Sequence, residues 1–355
     1  MLRLEARPQP SSLMLFATPA LAVVLTLLGG LVLFGIMGVD PFNALFAFFI
    51  QPVETWYGVA ELGVKATPLI LCAVGLAVSY RANVWNIGAE GQLNLGAIFG
   101  SWVALFHHGD GGIWVLPAMF VMGAVGGALW AGIPALLKTR FNANEILTSL
   151  MLTYVSSLLL DYMVRSPWRD PHGFNFPLTA QFEDFARMPV IVEGYRLGYG
   201  FVLALIVAVL GWLLLSRAFL GFQIKVIGLA APAAGYAGFS EKRLTWITLM
   251  ISGGLAGIAG CNEVAGPIGK LLPTVSPGYG FTAIIVAFLG RLHPIGIIAS
   301  ALLIALSYIG GDAAQMSLNL PVAVANVFQG MLLFFLLATE VLIRYRIRLR
   351  LAGHA

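Results

Sequence analysis

The stretch Arg81–Asn94 reads Arg-Ala-Asn-Val-Trp-Asn-Ile-Gly-Ala-Glu-Gly-Gln-Leu-Asn. It holds three asparagines, a glutamine and a glutamate inside an otherwise apolar part of the chain. Such side chains bind rather than cut. A primary amide both donates and accepts, so clustered amides and a carboxylate can hold a polar solute or satisfy backbone freed by a broken helix. Gly88 and Gly91 flank Ala89-Glu90, and each weakens a continuous helix by ~1 kcal/mol relative to alanine. The backbone groups they free cannot be satisfied by lipid. The stretch is therefore expected either to line a protein-walled path, through Asn83, Trp85, Asn86, Glu90, Gln92 and Asn94, or to form a tight hairpin braced by its own amides.

A second polar break lies at Asn262-Glu263, followed by the Gly- and Pro-rich run Gly266–Gly280. With Tyr279 and Phe281 it supplies a second set of candidate solute contacts, since paired breaks in two halves of a transporter point to a binding site. A third segment, Arg217–Arg243, reads as short amphipathic helix rich in Gly and Ala, suited to docking in a partner's groove. Asn144-Glu145 has the form of a helix cap with an acid at the positive dipole end. Glu61 and Lys65, spaced i,i+4, read as a helix ion pair.

Catalytic constellations are missing from the sequence. Gly266-Pro-Ile-Gly-Lys270 lacks the spacing and the Ser/Thr of a phosphate-binding loop, and there is neither His-Glu-x-x-His nor Gly-x-Ser-x-Gly. Asp161 and Asp312 are single acids near helix ends. His107-His108 has no third ligand nearby, so no metal site is expected. Cys72 and Cys261 fall in apolar runs and read as small buried hydrophobes. The chain is not expected to be an enzyme or to carry a cofactor.

The elements that must position these residues are membrane helices. Of 355 residues 59% are hydrophobic and only 10% charged, against roughly 25% charged in a soluble domain. With about 20 residues per span, the pattern predicts an all-α polytopic membrane protein of about ten transmembrane helices with broken or re-entrant segments. The expected helices are Leu13–Met37, Glu61–Tyr80, a third running to Phe106, Ile113–Leu137, Asn144–Val164, Tyr199–Ser216, Leu244–Cys261, a broken element at Phe281–Leu289, Pro294–Ile309 and Pro321–Ile343. The apolar run at the N-terminus is too long for a signal-peptide core. Placing both termini in the cytoplasm puts most of the 20 Lys and Arg inside. It makes residues 165–198 an external loop and residues 217–243 a cytoplasmic one, within a single domain spanning 1–355. The net charge of +4 then reflects topology, and no nucleic-acid partner is expected.

At Asn86-Ile-Gly-Ala-Glu-Gly-Gln92, Asn144-Glu-Ile-Leu-Thr-Ser-Leu-Met-Leu-Thr-Tyr154, Ser166-Pro-Trp-Arg-Asp-Pro171 and Gly278-Tyr-Gly-Phe-Thr-Ala-Ile-Ile-Val-Ala-Phe-Leu-Gly290, the chain resembles permease subunits of ABC importers. The resemblance is to the branched-chain amino acid, ribose and nucleoside group, and within it to the nucleoside/simple-sugar branch. The loop Gly228–Gly238 resembles that family's coupling segment, with Ala230-Ala231 where Asn-Pro is usual and Gly235 where Arg precedes Tyr. The resemblance implies a solute path for nucleosides or related small polar solutes such as sugars. It implies ATPase coupling through Arg217, Lys225, Gly228, Ala233, Ala234, Tyr236 and Gly238. It also implies a second permease subunit in a homo- or heterodimer, two ATP-binding cassette subunits that hydrolyse ATP, an extracytoplasmic solute-binding protein, and a place in the bacterial cytoplasmic (inner) membrane among its lipids. The alternative reading is a stand-alone ion-coupled secondary transporter or channel, with Glu90 or Glu263 as the ion site.

Overall fold

The computed structural model describes residues 2–6, 12–107, 112–321 and 323–349. Strand β1 (Leu2–Ala6) precedes helices α1 (Ser12–Ile36), α2 (Pro41–Phe49), α3 (Trp56–Arg81), α4 (Ala89–Phe106), α5 (Val115–Phe141) and α6 (Glu145–Arg165). Then come α7 (Gly200–Ser216), α8 (Phe219–Leu229), α9 (Ala231–Tyr236), α10 (Glu241–Glu263), α11 (Tyr279–Leu289), α12 (Pro294–Leu318), α13 (Ala323–Arg344) and strand β2 (Tyr345–Leu349). The helices fall where the apolar runs predict them, with ends shifted by a few residues. The largest shift is in α12, which continues through Gly310-Gly311-Asp312. The turn expected at His107–Gly112 is described only in part, since residues 108–111 lie outside the described residues.

Among the described residues six helices are long and apolar enough to cross a membrane: α1, α3, α5, α6, α10 and α12. The pair α7 and α8, bent by 68° between them, makes a seventh if taken as one span. Helices α2 and α11 are apolar but shorter, as is the apolar stretch Ala323–Thr339 of α13. The first turns of α4 carry Glu90, Gln92 and Asn94, which keeps that helix out of the set.

The chain divides into two compact units. In the unit formed by residues Met1–Val59 and Leu306–Ala355, α1 packs along α13. Its centre is aromatic: the ring of Phe328 lies 5.5 Å from Phe34 and 4.7 Å, stacked, from Phe48. Asp40 caps α2 by accepting from the Phe42 N–H at 3.0 Å, and Pro41 takes the first helical position, where its missing donor costs nothing. The all-α expectation needs one amendment. Strand β1 pairs antiparallel with β2, from Leu2 opposite Leu349 to Ala6 opposite Tyr345. Both segments, Leu-Arg-Leu-Glu-Ala and Tyr-Arg-Ile-Arg-Leu, alternate with a period of two.

The other unit, residues Ala60–Ala305, is built on α4, α5 and α10, which pack on one another. Their contact is backbone on backbone. A side chain on Gly257 would strike the Gly123 carbonyl and come within 3.1 Å of the Gly127 Cα, and one on Gly96 would strike Gly257. Without a hydrophobic drive inside lipid, close van der Waals approach is what holds such helices together. Helix α3 joins them: a side chain on Gly75 would meet the Ser252 backbone of α10 at 3.0 Å. The span of α3 is 89% buried, against 22% for α6, so α3 is walled by protein while α6 presents most of its surface outward.

Overpacking a close contact costs about 1–3 kcal/mol. Gly257→Leu should lower the melting temperature of the detergent-purified chain, while Gly330→Ala, at a site with open space around it, should leave it unchanged. Equal melting curves for Gly257→Leu and the wild type would refute the glycine-packed core.

Candidate functional site

Helix α3 ends at Arg81, and Asn83 takes a left-handed conformation, φ 57°, that turns the chain back. Residues 84–88 are not helical, and α4 starts after Gly88. This non-helical run lies against α10 and α6, and Asn86 makes the most bonds within it. Its Oδ1 accepts from the Gly88 N–H and from Gln92 Nε2, each at 3.0 Å. Its Nδ2 donates to Gln92 Oε1 at 2.8 Å and to Ser252 Oγ of α10 at 3.0 Å. An amide has two donor hydrogens and two acceptor positions, and all four are used. The Asn86 carbonyl accepts from the Tyr80 hydroxyl at 2.8 Å, and the Ile87 N–H donates to Ser149 Oγ of α6 at 3.2 Å. Asn86 is wholly buried and Gln92 nearly so.

Glu90 does a related job one turn on. Gly278 precedes α11 at φ +103°, a conformation that glycine adopts freely. It lets the first N–H groups of α11 face the Glu90 carboxylate, and Gly280 N–H donates to Glu90 Oε2 at 2.6 Å. Ser276 Oγ accepts from the neighbouring Gly278 and Tyr279 N–H groups at 3.0 and 2.8 Å. A carboxylate at a helix N-terminus meets unsatisfied donors and the positive end of the dipole. Helix α11 thus has its anion supplied from α4.

On the other side of α4, Asn94 Nδ2 reaches Ser156 and Ser157 of α6 at 3.4 and 3.3 Å. Asn144 caps α6 as its sequence predicts, accepting from the Ile146 and Leu147 N–H groups at 2.9 and 3.4 Å. Glu145 forms an ion pair with Lys138 and accepts from the Trp85 N–H at 3.5 Å. Asn83 and Trp85 are exposed at the rim of the turn, where Trp85 Nε1 donates to Asn83 Oδ1 at 3.1 Å. The Trp85 and Tyr80 rings pack with Phe288 of α11.

The second break forms a separate cluster. Asn262 and Glu263 end α10, both buried, and the helix continues as one turn of π-helix, Val264–Ile268, a feature that often marks functional positions. The expected Glu61–Lys65 pair gives way to a different one, with Arg196 Nη1 lying 3.5 Å from Glu61 Oε2. Lys65 Nζ sits 5.8 Å from the Tyr279 ring centre, and Lys65 and Arg196 both act electrostatically on Glu263. Residues 165–198 are strapped over this end. The Phe182 N–H donates to the Gly269 carbonyl at 2.9 Å and the Met188 N–H to Ala265 at 2.7 Å. Tyr279 is buried beside the Gly280–Glu90 contact, and Phe281 is exposed.

In the segment 217–243, α9 carries Ala233 and Tyr236 on its exposed side, with Tyr236 96% exposed. Ala234 turns inward into a core with Ile224, Ile227 and Leu244, and so anchors α9. Gly228 of α8 packs on the Arg81 backbone. Arg217 and Lys225 stand apart from α9, in the lining of a cleft beside Tyr80 and Arg81. Gly238, at φ +80°, turns the chain out of α9. Cys72 and Cys261 are buried thiols. Among the described residues no group of three His, Cys, Asp or Glu side chains converges to hold a metal.

The family model for the branched-chain amino acid transport system, permease component, matches residues 58–337. The chain belongs to this family. It is a permease subunit of an ABC transporter, a multi-pass membrane protein rather than an enzyme. A glucose ABC transporter permease protein of Haloferax volcanii is 34% identical over 98% of this permease and 93% of its own length. A guanosine ABC transporter permease protein of Bacillus subtilis is 28% identical over 92% and 94% of the two chains. A nucleoside ABC transporter permease protein of Lactococcus lactis is 28% identical over 90% and 89%.

Several partners in this permease's polar network are not among the residues singled out from the sequence as candidate contacts: Ser252, Ser149, Ser276, Gly280 and Arg196. Ser149 had a legible signal. With Thr153 and Ser156 it forms a buried polar stripe at helical spacing along α6. A buried polar group left without its partner costs about 1–3 kcal/mol. Asn86→Ala and Glu90→Ala should each lower thermal stability by at least that much, and Phe281→Ala, exposed, by less than about 0.5 kcal/mol. A Glu90→Ala chain that melts like the wild type would remove Glu90 from the scaffold.

Proposed function

We propose that this permease forms the solute path of an ATP-driven importer for nucleosides or simple sugars in a bacterial cytoplasmic membrane. The observation that carries the solute class is the run of relatives whose names specify glucose, guanosine or nucleosides, each matched over nearly its whole length. On this reading residues 1–355 act as one permease domain. Helices α4, α11 and α13 join the six apolar spans and α7 to make ten crossings, with both termini cytoplasmic, residues 165–198 external and residues 217–243 cytoplasmic. The 20 Lys and Arg distribute accordingly under the positive-inside rule.

The hydrogen-bond pattern divides the labour among the polar residues. Asn86, Gln92 and Glu90 have their polar groups engaged by protein, so they hold the wall of the path, with Asn94 tying that wall to α6. Asn83, Trp85 and Phe281 are exposed and can offer polar and aromatic surface to a ribose, a base or a pyranose face. Asn262, Glu263 and Tyr279 close the far end beneath the external strap. Ala233, Tyr236 and Gly238 at α9 meet the ATPase, braced by Ala234 and Gly228. The partners on this reading are a second permease subunit, two ATPase subunits and an external solute-binding protein. ATP binding then shifts the permease between states by binding one of them more tightly.

Proteoliposomes holding this permease with its ATPase and permease partners should take up labelled guanosine or glucose only when ATP and the binding protein are supplied. Deleting Ala230–Gly238 should abolish uptake while the helices remain folded. Uptake by the chain alone, without any ATPase, would instead decide for a stand-alone secondary transporter or channel.

A further inference from the structure

We infer that the cleft between the end of α3 and the α7–α8 bend is a binding site for an anionic phospholipid. The cleft has a volume of about 950 Å³. Arg81, Arg217 and Lys225 line it, and no acidic residue does. None of the three cations takes part in the ion pairs formed among the described residues. Arg81 is the last residue of α3 and Arg217 follows the last residue of α7. Helix dipoles favour cations at such ends, which accounts for their place but leaves their charge unneutralised.

The remaining walls are apolar. Phe219, Phe222 and Leu229 line the same cleft and are 67%, 54% and 78% exposed. The Phe219 and Phe222 rings stack with centres 6.3 Å apart, and both pack edge-on to Phe239. The cleft is thus amphipathic, with three cations beside exposed aromatic and aliphatic surface. It opens where two apolar helices end, which is where a bilayer's headgroups begin. A soluble anion would use the cations and leave the phenylalanines in water. A neutral lipid would use the phenylalanines and leave the cations unpaired. A phospholipid with a net negative headgroup matches both parts, as basic pockets between membrane helices do. This site is separate from the exposed face of α9, whose Ala233 and Tyr236 are outside the lining.

The test is native mass spectrometry of the full chain released from nanodiscs holding equal amounts of phosphatidylglycerol and phosphatidylcholine. Each cation near a lipid surface contributes enough for roughly fivefold discrimination, so the wild type should retain phosphatidylglycerol in at least about that excess. The triple variant Arg81→Gln, Arg217→Gln, Lys225→Gln should bind the two lipids equally. A control pair at exposed positions outside the cleft, Arg140→Gln with Lys242→Gln, should keep the preference. Should the triple variant aggregate, the exposed Lys225→Gln alone should still reduce the excess severalfold. Glycerol phosphate, which lacks acyl chains, should not compete. The inference is overturned by equal retention of both lipids in the wild type, by an undiminished preference in the charge variants, by competition from glycerol phosphate, or by full displacement of the lipid when the ATPase subunits are bound.

Discussion

A chain that breaks its helix inside an apolar protein must supply hydrogen bonds for the backbone it frees. Here that constraint is met by Tyr80, Glu145, Ser149 and Asn86, of which Asn86 makes the most bonds. Its side chain fills every donor and acceptor position it has, three with its own turn and Gln92 and one with Ser252 of α10. The arrangement fixes the angle at which α4 leaves α3 and ties the turn to α10. With α4 so placed, its glycines reach the backbones of α5 and α10 and Glu90 reaches the start of α11. An amide with one partner missing would leave buried polar groups unsatisfied, and in a low-dielectric interior that is costly.

The unit built on α3–α11 is stiff in the middle and polar at its ends. Its middle is a contact of backbones at Gly96, Gly123, Gly127 and Gly257, which has little room to deform. One end carries the α8–α9 segment and its cleft. The other carries buried Glu61 and Glu263, together with Arg196, under the strap of residues 165–198. Packed cores respond to a load by shifting between discrete arrangements rather than by bending. A permease driven from one face and loaded at the other benefits from a rigid middle that carries motion between them.

Much of this was legible in the residues. Apolar runs predicted the helices, and Asn144 predicted its own cap. The density of amides in Arg81–Asn94 marked the turn, but the residues alone left a solute path and a hairpin braced by its own amides as equal readings. What Asn86 and Glu90 bind was not legible, because their partners are distant in sequence: Ser252 is 166 residues away and Gly280 is 190 from Glu90. The Glu61–Lys65 pair failed for the same reason. Spacing of i,i+4 gives proximity, but Arg196, brought in by the loop of residues 165–198, competes for the carboxylate. The terminal strands escaped because five-residue alternating segments carry little weight beside long apolar runs.

Residues 84–92, although partly non-helical, are locked by internal hydrogen bonds, and the placement of α4 depends on that lock. Hydrogen exchange of the full chain in nanodiscs, followed by mass spectrometry, measures this directly. Peptides covering 84–92 should exchange as slowly as those from the centre of α10, and far more slowly than the exposed stretch 191–194. Exchange of 84–92 at the rate of that exposed stretch would mean that the turn is solvated and open, and would contradict the account.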